Sequence, residues 1–249
     1  MRSSRLVTAL RYGVATALAL LFLLPFYVII RNAFSTNQNI TAPRWNWLPD
    51  QLNLANLESM LSSDSTGVLK GLLNSAIMTI LQTVGTVVIS LMAGYGLARF
   101  THRLSRMVLG LTVFTLMVPA ATTFVPMFII TAQFGWIDSF RGLVIPGMFS
   151  AFATYLFRQA FLDFPTELED AALMDGCNPF TAFWRIVVPN SRGTVAAVGT
   201  IVLIGSWNAF LWPSLVGREA TRTVQVALSQ YMTSQNVRYP ELFMGSLQY

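Results

Sequence analysis

An all-α polytopic membrane protein is the fold class this sequence predicts, on three observations. Of 249 residues, 54% are hydrophobic and only 11% charged, whereas a soluble domain carries roughly 25% charged residues. Five segments, residues 12–30, 72–98, 107–131, 143–161 and 194–216, are long and apolar enough to cross a bilayer, whose core needs about 20 such residues per helix. None of the five contains Asp, Glu or Lys. Arg158 lies at the end of the fourth. That placement is expected, because an Arg at a helix centre costs roughly 2.5–3.5 kcal/mol on insertion scales.

The first segment has a basic front, Arg2, Arg5 and Arg11, as a signal peptide would. Its apolar stretch is as long as a full span, and it runs into "RNAFSTNQN", with Arg31 where a cleavage site wants small neutral residues. It therefore reads as an uncleaved first span. The second segment carries Gly85, Ser90, Gly94 and Gly96. Small residues permit close helix approach, although such patterns occur in any bundle. Pro25, Pro119, Pro126 and Pro146 fall in or near spans and read as packing kinks rather than as broken helices lining a path.

Orientation follows from the basic residues of short loops. The amino terminus, the loop "RFTHRLSR" with Arg99, Arg103 and Arg106, and the region after the fourth span with Arg158, Arg185 and Arg192 alternate correctly to share one side. That side is the cytoplasm. The amino terminus and residues 162–193 are then cytoplasmic, while residues 32–71 and the turn "QFGWIDSFR" lie outside.

The loop between the fourth and fifth spans holds "EDAALMDGCNPFTAFWRIVVP", residues 169–189. It reads as two short helices. Pro165 opens the first, and Glu167, Glu169 and Asp170 occupy its first turns, where the helix dipole favours acids. Gly176 ends it. Asn178 caps the second, with Pro179 at its first position. Phe180, Phe183, Trp184 and Val187 then form one apolar stripe, and Pro189 is expected to stop the helix. The element either rests on the bilayer or docks a cytoplasmic protein. Interfacial helices are usually rich in Lys and Arg; this one is acidic at its front, which favours a protein groove receiving an aromatic knob.

Other chemistry is thinly represented. A lone cysteine, Cys177, and a lone histidine, His102, rule out an intrachain disulfide framework and disfavour a His/Cys metal cage. No metal site and no catalytic residue is assigned. No basic run suggests nucleic-acid binding, although the net charge is +5. Asn74, Gln82, Trp207 and Asn208 are polar or aromatic residues within spans. Such groups face a cavity or hydrogen-bond a neighbouring helix, so they form the candidate substrate path, with helix–helix bonding as the alternative. Trp207 also suits an interface anchor.

The quoted stretch resembles the cytoplasmic coupling motif of permease subunits of bacterial ATP-binding-cassette importers. Ala171, Ala172, Gly176, Ile186, Val188 and Pro189 match that motif's spacing, and Asp170 stands where it has Glu. The run from "GWIDSF" to "ALMDG" and the segment "SWNAFLWPSLV" are similar to the carbohydrate-type branch, the maltose- and glycerol-phosphate-type permeases. The resemblance implies a single permease domain over residues 1–249, with a coupling element at 165–189 between spans four and five. It implies an ATP-driven sugar importer in the bacterial inner membrane, in which this chain forms half of the path. Its partners would be a second permease subunit as a heterodimer, two ATPase subunits and an extracytoplasmic sugar-binding protein, in contact with membrane lipid. Glu169, Asp170, Ala171, Ala172, Asp175, Gly176, Phe180, Phe183, Trp184, Ile186 and Pro189 would serve ATPase coupling.

The family's permeases bind no nucleotide; ATP and Mg sit on the ATPase subunits. In agreement, the sequence has no GxxxxGK[ST] loop, and its Lys70 lies outside. The family also has a sixth span. "PELFMGSLQY" stands where it would begin, so five complete spans are expected, with the sixth truncated or absent. Another solute class (glycerol phosphate, amino acid, peptide) is the alternative cargo. A stand-alone carrier or channel, or a membrane-embedded enzyme, finds less support, because no span holds an acid.

Overall fold

The computed structural model describes residues 5–49, 53–56, 58, 67–100, 102–233 and 239–246. All regular structure among the described residues is helical. Arg2, one of the charges that orient the amino terminus, lies outside them. The chain divides into two compact units, one of residues 1–69 with 226–249 and the other Lys70–Gln225.

In the first unit, α1 (Arg5–Ala33) is 29 residues long, about 44 Å at the α-helical rise. It exposes apolar side chains around its circumference, including Leu10, Leu20, Phe22 and Phe26. A helix that is apolar all round needs apolar surroundings. Pro25 sits inside it without ending it. Short α2 (Asn37–Thr41) follows.

In the second unit, α3 (Val68–Arg99) runs unbroken for 32 residues, about 48 Å. It therefore overshoots a hydrocarbon core of roughly 30 Å and carries its terminal Arg99 beyond it. The expected third span is not one helix. It consists of α4 (Arg103–Leu116) and α5 (Ala120–Gln133), bent by 105°. Pro119 adopts an extended conformation at the break. It lacks the N–H that would continue the ladder and disfavours helix at Val118. A break replaces the kink expected there, and each 14-residue half is only about 21 Å long.

The fourth span joins α6 (Phe140–Val144), a 3₁₀ turn over Ile145–Met148 that contains Pro146, and α7 (Ala151–Leu162), with a 40° bend. Next come α8 (Thr166–Met174) and α9 (Pro179–Asn190), then α10 (Arg192–Trp207) and α11 (Leu211–Val216). The expected fifth span, 194–216, is thus interrupted at residues 208–210. By length and composition α1 and α3 each qualify as spans, and up to five result if each bent helix pair counts as one. Beyond α11 the chain forms α12 (Val224–Thr233) and α13 (Tyr239–Ser246), the latter packed on α1 and α2 within the first unit.

Two apolar clusters flank α3 at different heights. Met78 meets Leu143, Val144, Trp212 and Val216, joining α3 to α6 and α11. Nearer the other end, Leu91 and Ala98 meet Ala153, Phe157, Phe161, Phe183, Val187 and Val198, joining α3 to α7, α9 and α10. Gly94 makes this second cluster possible. A Cβ there would lie 2.8 Å from Phe157 Cβ and 2.9 Å from the Arg158 nitrogen, so only hydrogen lets the α3 and α7 backbones come this close.

Candidate functional site

The element at 165–189 closes its first helix as its residues require. Gly176 has φ +84°. Its N–H bonds the Leu173 carbonyl at 3.1 Å, and the Cys177 N–H bonds the Ala172 carbonyl at 3.0 Å. This paired closure is a Schellman turn, which needs the left-handed residue that glycine supplies. Asn178 Oδ1 accepts from the Thr181 N–H at 2.8 Å, capping the second helix.

Pro189 does not end that helix, contrary to expectation. The backbone continues through Val188–Asn190, preceded by a π turn over Phe183–Val187 in which the Val188 N–H reaches the Phe183 carbonyl. Proline has no N–H for its own i−4 bond, and its ring crowds the Arg185 carbonyl, so the preceding turn widens. The chain then bends by 78° into α10.

Burial divides the predicted coupling residues into two sets. Phe180 is 64% exposed; Asp170, Ala171, Asp175, Gly176 and Pro189 are also exposed, and Ile186 is half-buried; Met174, outside the predicted set, is 88% exposed. Phe183 is 3% exposed. Its ring centroid lies 4.6 Å from that of Tyr95 and 6.2 Å from that of Phe161. The aromatic stripe is therefore split: Phe183 and Val187 fill the chain's own core, half-buried Trp184 edges it, and Phe180 points out. A period of 3.6 identifies one helix face but does not say what covers it.

Glu169 and Asp170 separate in the same way, because consecutive helical residues point about 100° apart. Asp170 is exposed. Glu169 is buried with Ala172 and turns toward the end of α3. There it forms an ion pair with Arg99 Nη2. Its carboxylate also accepts from Arg99 Nε at 2.9 Å and from the Tyr95 hydroxyl at 2.7 Å. Arg99 donates further to the Phe161 carbonyl at 2.8 Å and the Phe164 carbonyl at 3.3 Å. These are orphan acceptors around the end of α7, where the helix dipole also favours a cation. In the sequence Arg99 stands out only as a loop charge, and Tyr95 carries no signal of this role.

The four candidate path residues also fall into distinct surroundings. Asn74 is buried, and its Nδ2 donates to the Ala220 and Arg222 carbonyls at 3.1 and 3.0 Å. Gln82 donates to the Gly147 carbonyl at 3.2 Å and accepts from the Ser206 hydroxyl at 3.0 Å. The Gly147 carbonyl, left over by the 3₁₀ break, also receives Thr86 Oγ1 at 3.3 Å. Broken helices at membrane depth require such re-satisfaction. Trp207 is half-buried and Asn208 exposed, at the interruption between α10 and α11. Asn74 thus bonds backbone carbonyls of the loop after α11, Gln82 bridges the Gly147 turn and α10, and Trp207 and Asn208 are the more accessible pair.

The loop from Gly217 to Thr223 is held by a residue the sequence did not signal. Asp138, at φ 55°, accepts from the Arg218, Ala220 and Thr221 N–H groups at 2.9, 3.1 and 3.0 Å and from the Thr221 hydroxyl at 2.8 Å. Desolvation by burial pushes its pKa up, but these hydrogen bonds outweigh that and hold the carboxyl below its ordinary value of 3.8. Lys70 Nζ adds a bond to the Glu219 carbonyl at 3.0 Å.

A separate open groove of about 910 Å³ runs between α3, α4 and the starts of α5 and α7, lined by Ile89, Leu97, Leu104, Val108 and Leu111 among others. Its lining is mainly apolar, with the hydroxyls of Ser105, Thr112, Thr115, Thr123, Ser150 and Thr154 and with His102 among it.

Comparison with known proteins supplies the family. Residues 85–247 match the family described as binding-protein-dependent transport system inner membrane component. Over 219 residues the chain is 33% identical to an sn-glycerol-3-phosphate transport system permease protein of Yersinia pestis bv. Antiqua (strain Antiqua), covering 86% of this chain and 78% of that one. It is 35% identical over 175 residues to a lactose transport system permease protein of Rhizobium radiobacter, covering 70% and 64%. It is 30% identical over 233 residues to an arabinooligosaccharides transport system permease protein of Bacillus subtilis (strain 168), covering 92% and 83%. The fold is similar to that in a crystal structure of a bacterial ABC transporter involved in the import of the acidic polysaccharide alginate. The TM-score is 0.83 at 22% identity, over 100% of this chain and 92% of that one. The long apolar helices, the glycine-closed helix pair between them and these matches together show that the chain belongs to the family of binding-protein-dependent transport system inner membrane components.

Proposed function

We propose that this chain is the permease subunit of an ATP-driven sugar importer, with residues 165–189 as its contact with a cytoplasmic ATPase. The supporting observation is the Schellman-closed helix pair, which leaves Phe180, Met174, Asp170 and Asp175 exposed while Phe183 and Glu169 are buried and anchor it. An apolar tip with an acidic margin suits a groove on a soluble subunit. ATP and Mg belong to two such subunits. Their closure moves the element, and the spans exchange inward-open for outward-open states. A second permease subunit supplies the other half of the path. A sugar-binding protein delivers the cargo outside, where Asp138 and residues 217–223 lie if the amino terminus is cytoplasmic. Sugar as cargo draws on the lactose and arabinooligosaccharide relatives. The Yersinia relative favours glycerol phosphate as a second reading.

The test is a pull-down of the solubilised chain from its native membrane, with mass identification of its companions. An ATPase, a second permease and an external binding protein are expected. A chain that comes down alone, even after mild cross-linking, refutes the docking reading.

A further inference from the structure

We propose that Arg99, Tyr95 and Glu169 form a latch that makes α3 the rod carrying movement of the coupling element to the opposite end of the bundle. The proposal rests on the docking reading above and adds the route by which docking is felt.

Glu169 belongs to α8, the helix that presents Met174, yet its carboxylate is buried against the end of α3. One guanidinium there holds the acid and two carbonyls from the end of α7 at once. The Tyr95 hydroxyl holds the second carboxylate oxygen, and the Tyr95 ring packs on Phe183 of α9. A largely buried pair with its donors engaged resists separation, because either charge left alone would be a poorly solvated, uncompensated ion. Movement imposed on α8 must therefore move Arg99.

From Arg99 the path is a single uninterrupted helix, while the neighbouring spans are broken or bent. Midway, Gln82 grips the 3₁₀ turn at Gly147 and Ser206 of α10. At the far end Asn74 holds the Ala220 and Arg222 carbonyls, and Ser75 Oγ accepts from the Val224 N–H at 2.9 Å. The rod thus ends on the 217–223 loop that Asp138 shapes.

The test uses the assembled transporter in nanodiscs, with Cys177→Ser and a reporter Glu219→Cys in the exposed part of that loop. The rate of maleimide labelling at position 219 is measured with and without ATP plus vanadate. Co-purification of the ATPase is measured on the same samples. With the latch intact, nucleotide trapping should change the rate at least threefold. Glu169→Gln, and separately the milder Arg99→Lys, should abolish that response while the nucleotide-free rate and the amount of ATPase retained stay within twofold. Lysine keeps the charge but, as a point-like ammonium, lacks the fork that serves acid and carbonyls together. Survival of the response in Glu169→Gln overturns the latch. So does loss of ATPase retention in Arg99→Lys, or in Glu169→Gln that still elutes as a monodisperse complex in size-exclusion chromatography, because the pair would then be part of the docking face. If the intact latch chain itself retains no ATPase, the docking reading fails, and the latch fails with it.

Discussion

Replacing Gly176 isolates a backbone effect from a packing effect. The residue has φ +84°, and a Cβ built on it meets nothing within 4 Å. Alanine therefore costs no clash. It costs the left-handed conformation, roughly 1–2 kcal/mol for a non-glycine residue. Asparagine, larger but tolerant of that region, should cost less. Proline, locked near φ −65° and without the N–H that reaches Leu173, should cost about 3 kcal/mol or more. If the turn must form to set the second helix, with its exposed Phe180, against the first, the cost appears in docking. A loss of 1–2 kcal/mol is a factor of about 5–30 in affinity. Titration of the partner ATPase against the permease in nanodiscs should then rank the variants Gly, Asn, Ala, Pro from tightest to weakest. If Ala binds as well as Gly, or better than Asn, the turn's geometry does not govern the contact.

Phe180→Asp should leave membrane assembly intact and weaken ATPase retention at least tenfold in a pull-down. Phe183→Asp, which buries a charge against Tyr95 and Phe161, should instead lower the yield of monodisperse protein in size-exclusion chromatography. Gly94→Val forces α3 and α7 apart and should destabilise the chain by about 1–3 kcal/mol, seen as earlier aggregation in a thermal ramp. Asp138 has a folded pKa below its unfolded value. Its stabilisation is thus complete above the unfolded value and is lost as pH falls through the folded one. Hydrogen exchange at the Arg218, Ala220 and Thr221 amides, corrected for intrinsic rates, should therefore show no loss of protection from pH 7 to about 5 and a loss below pH 4. Asp138→Asn should show that loss already at pH 7.

Much of the molecule was legible along the chain because membrane insertion is a local constraint. Apolar length fixes where helices can cross, and short-range chemistry fixes how the coupling element turns. Gly176, Asn178 and Pro179 specify a closure and a cap within a few residues of one another, and both form. The twenty-residue motif needed no distant partner to be recognised. Less legible was anything set by a neighbour remote in sequence. Pro119 breaks its span and Pro25 does not, although each is a proline in an apolar run. A proline's local chemistry is the same in both runs, so its residue type alone does not say which helix continues. Pro189 widened its helix instead of ending it, because the preceding turn could open into a π turn around the proline ring.

The division of labour within residues 165–189 came from packing alone. Glu169 and Asp170 are adjacent acids of the same charge, and Phe180 and Phe183 are the same side chain on one stripe. In each pair one member faces solvent and the other faces α3, because Tyr95, Arg99 and Phe161 occupy one side of the element. Sequence pattern reports that a face exists. Whether that face is a partner's seat or the protein's own interior is a statement about contacts some seventy residues away along the chain, and only the folded arrangement contains it.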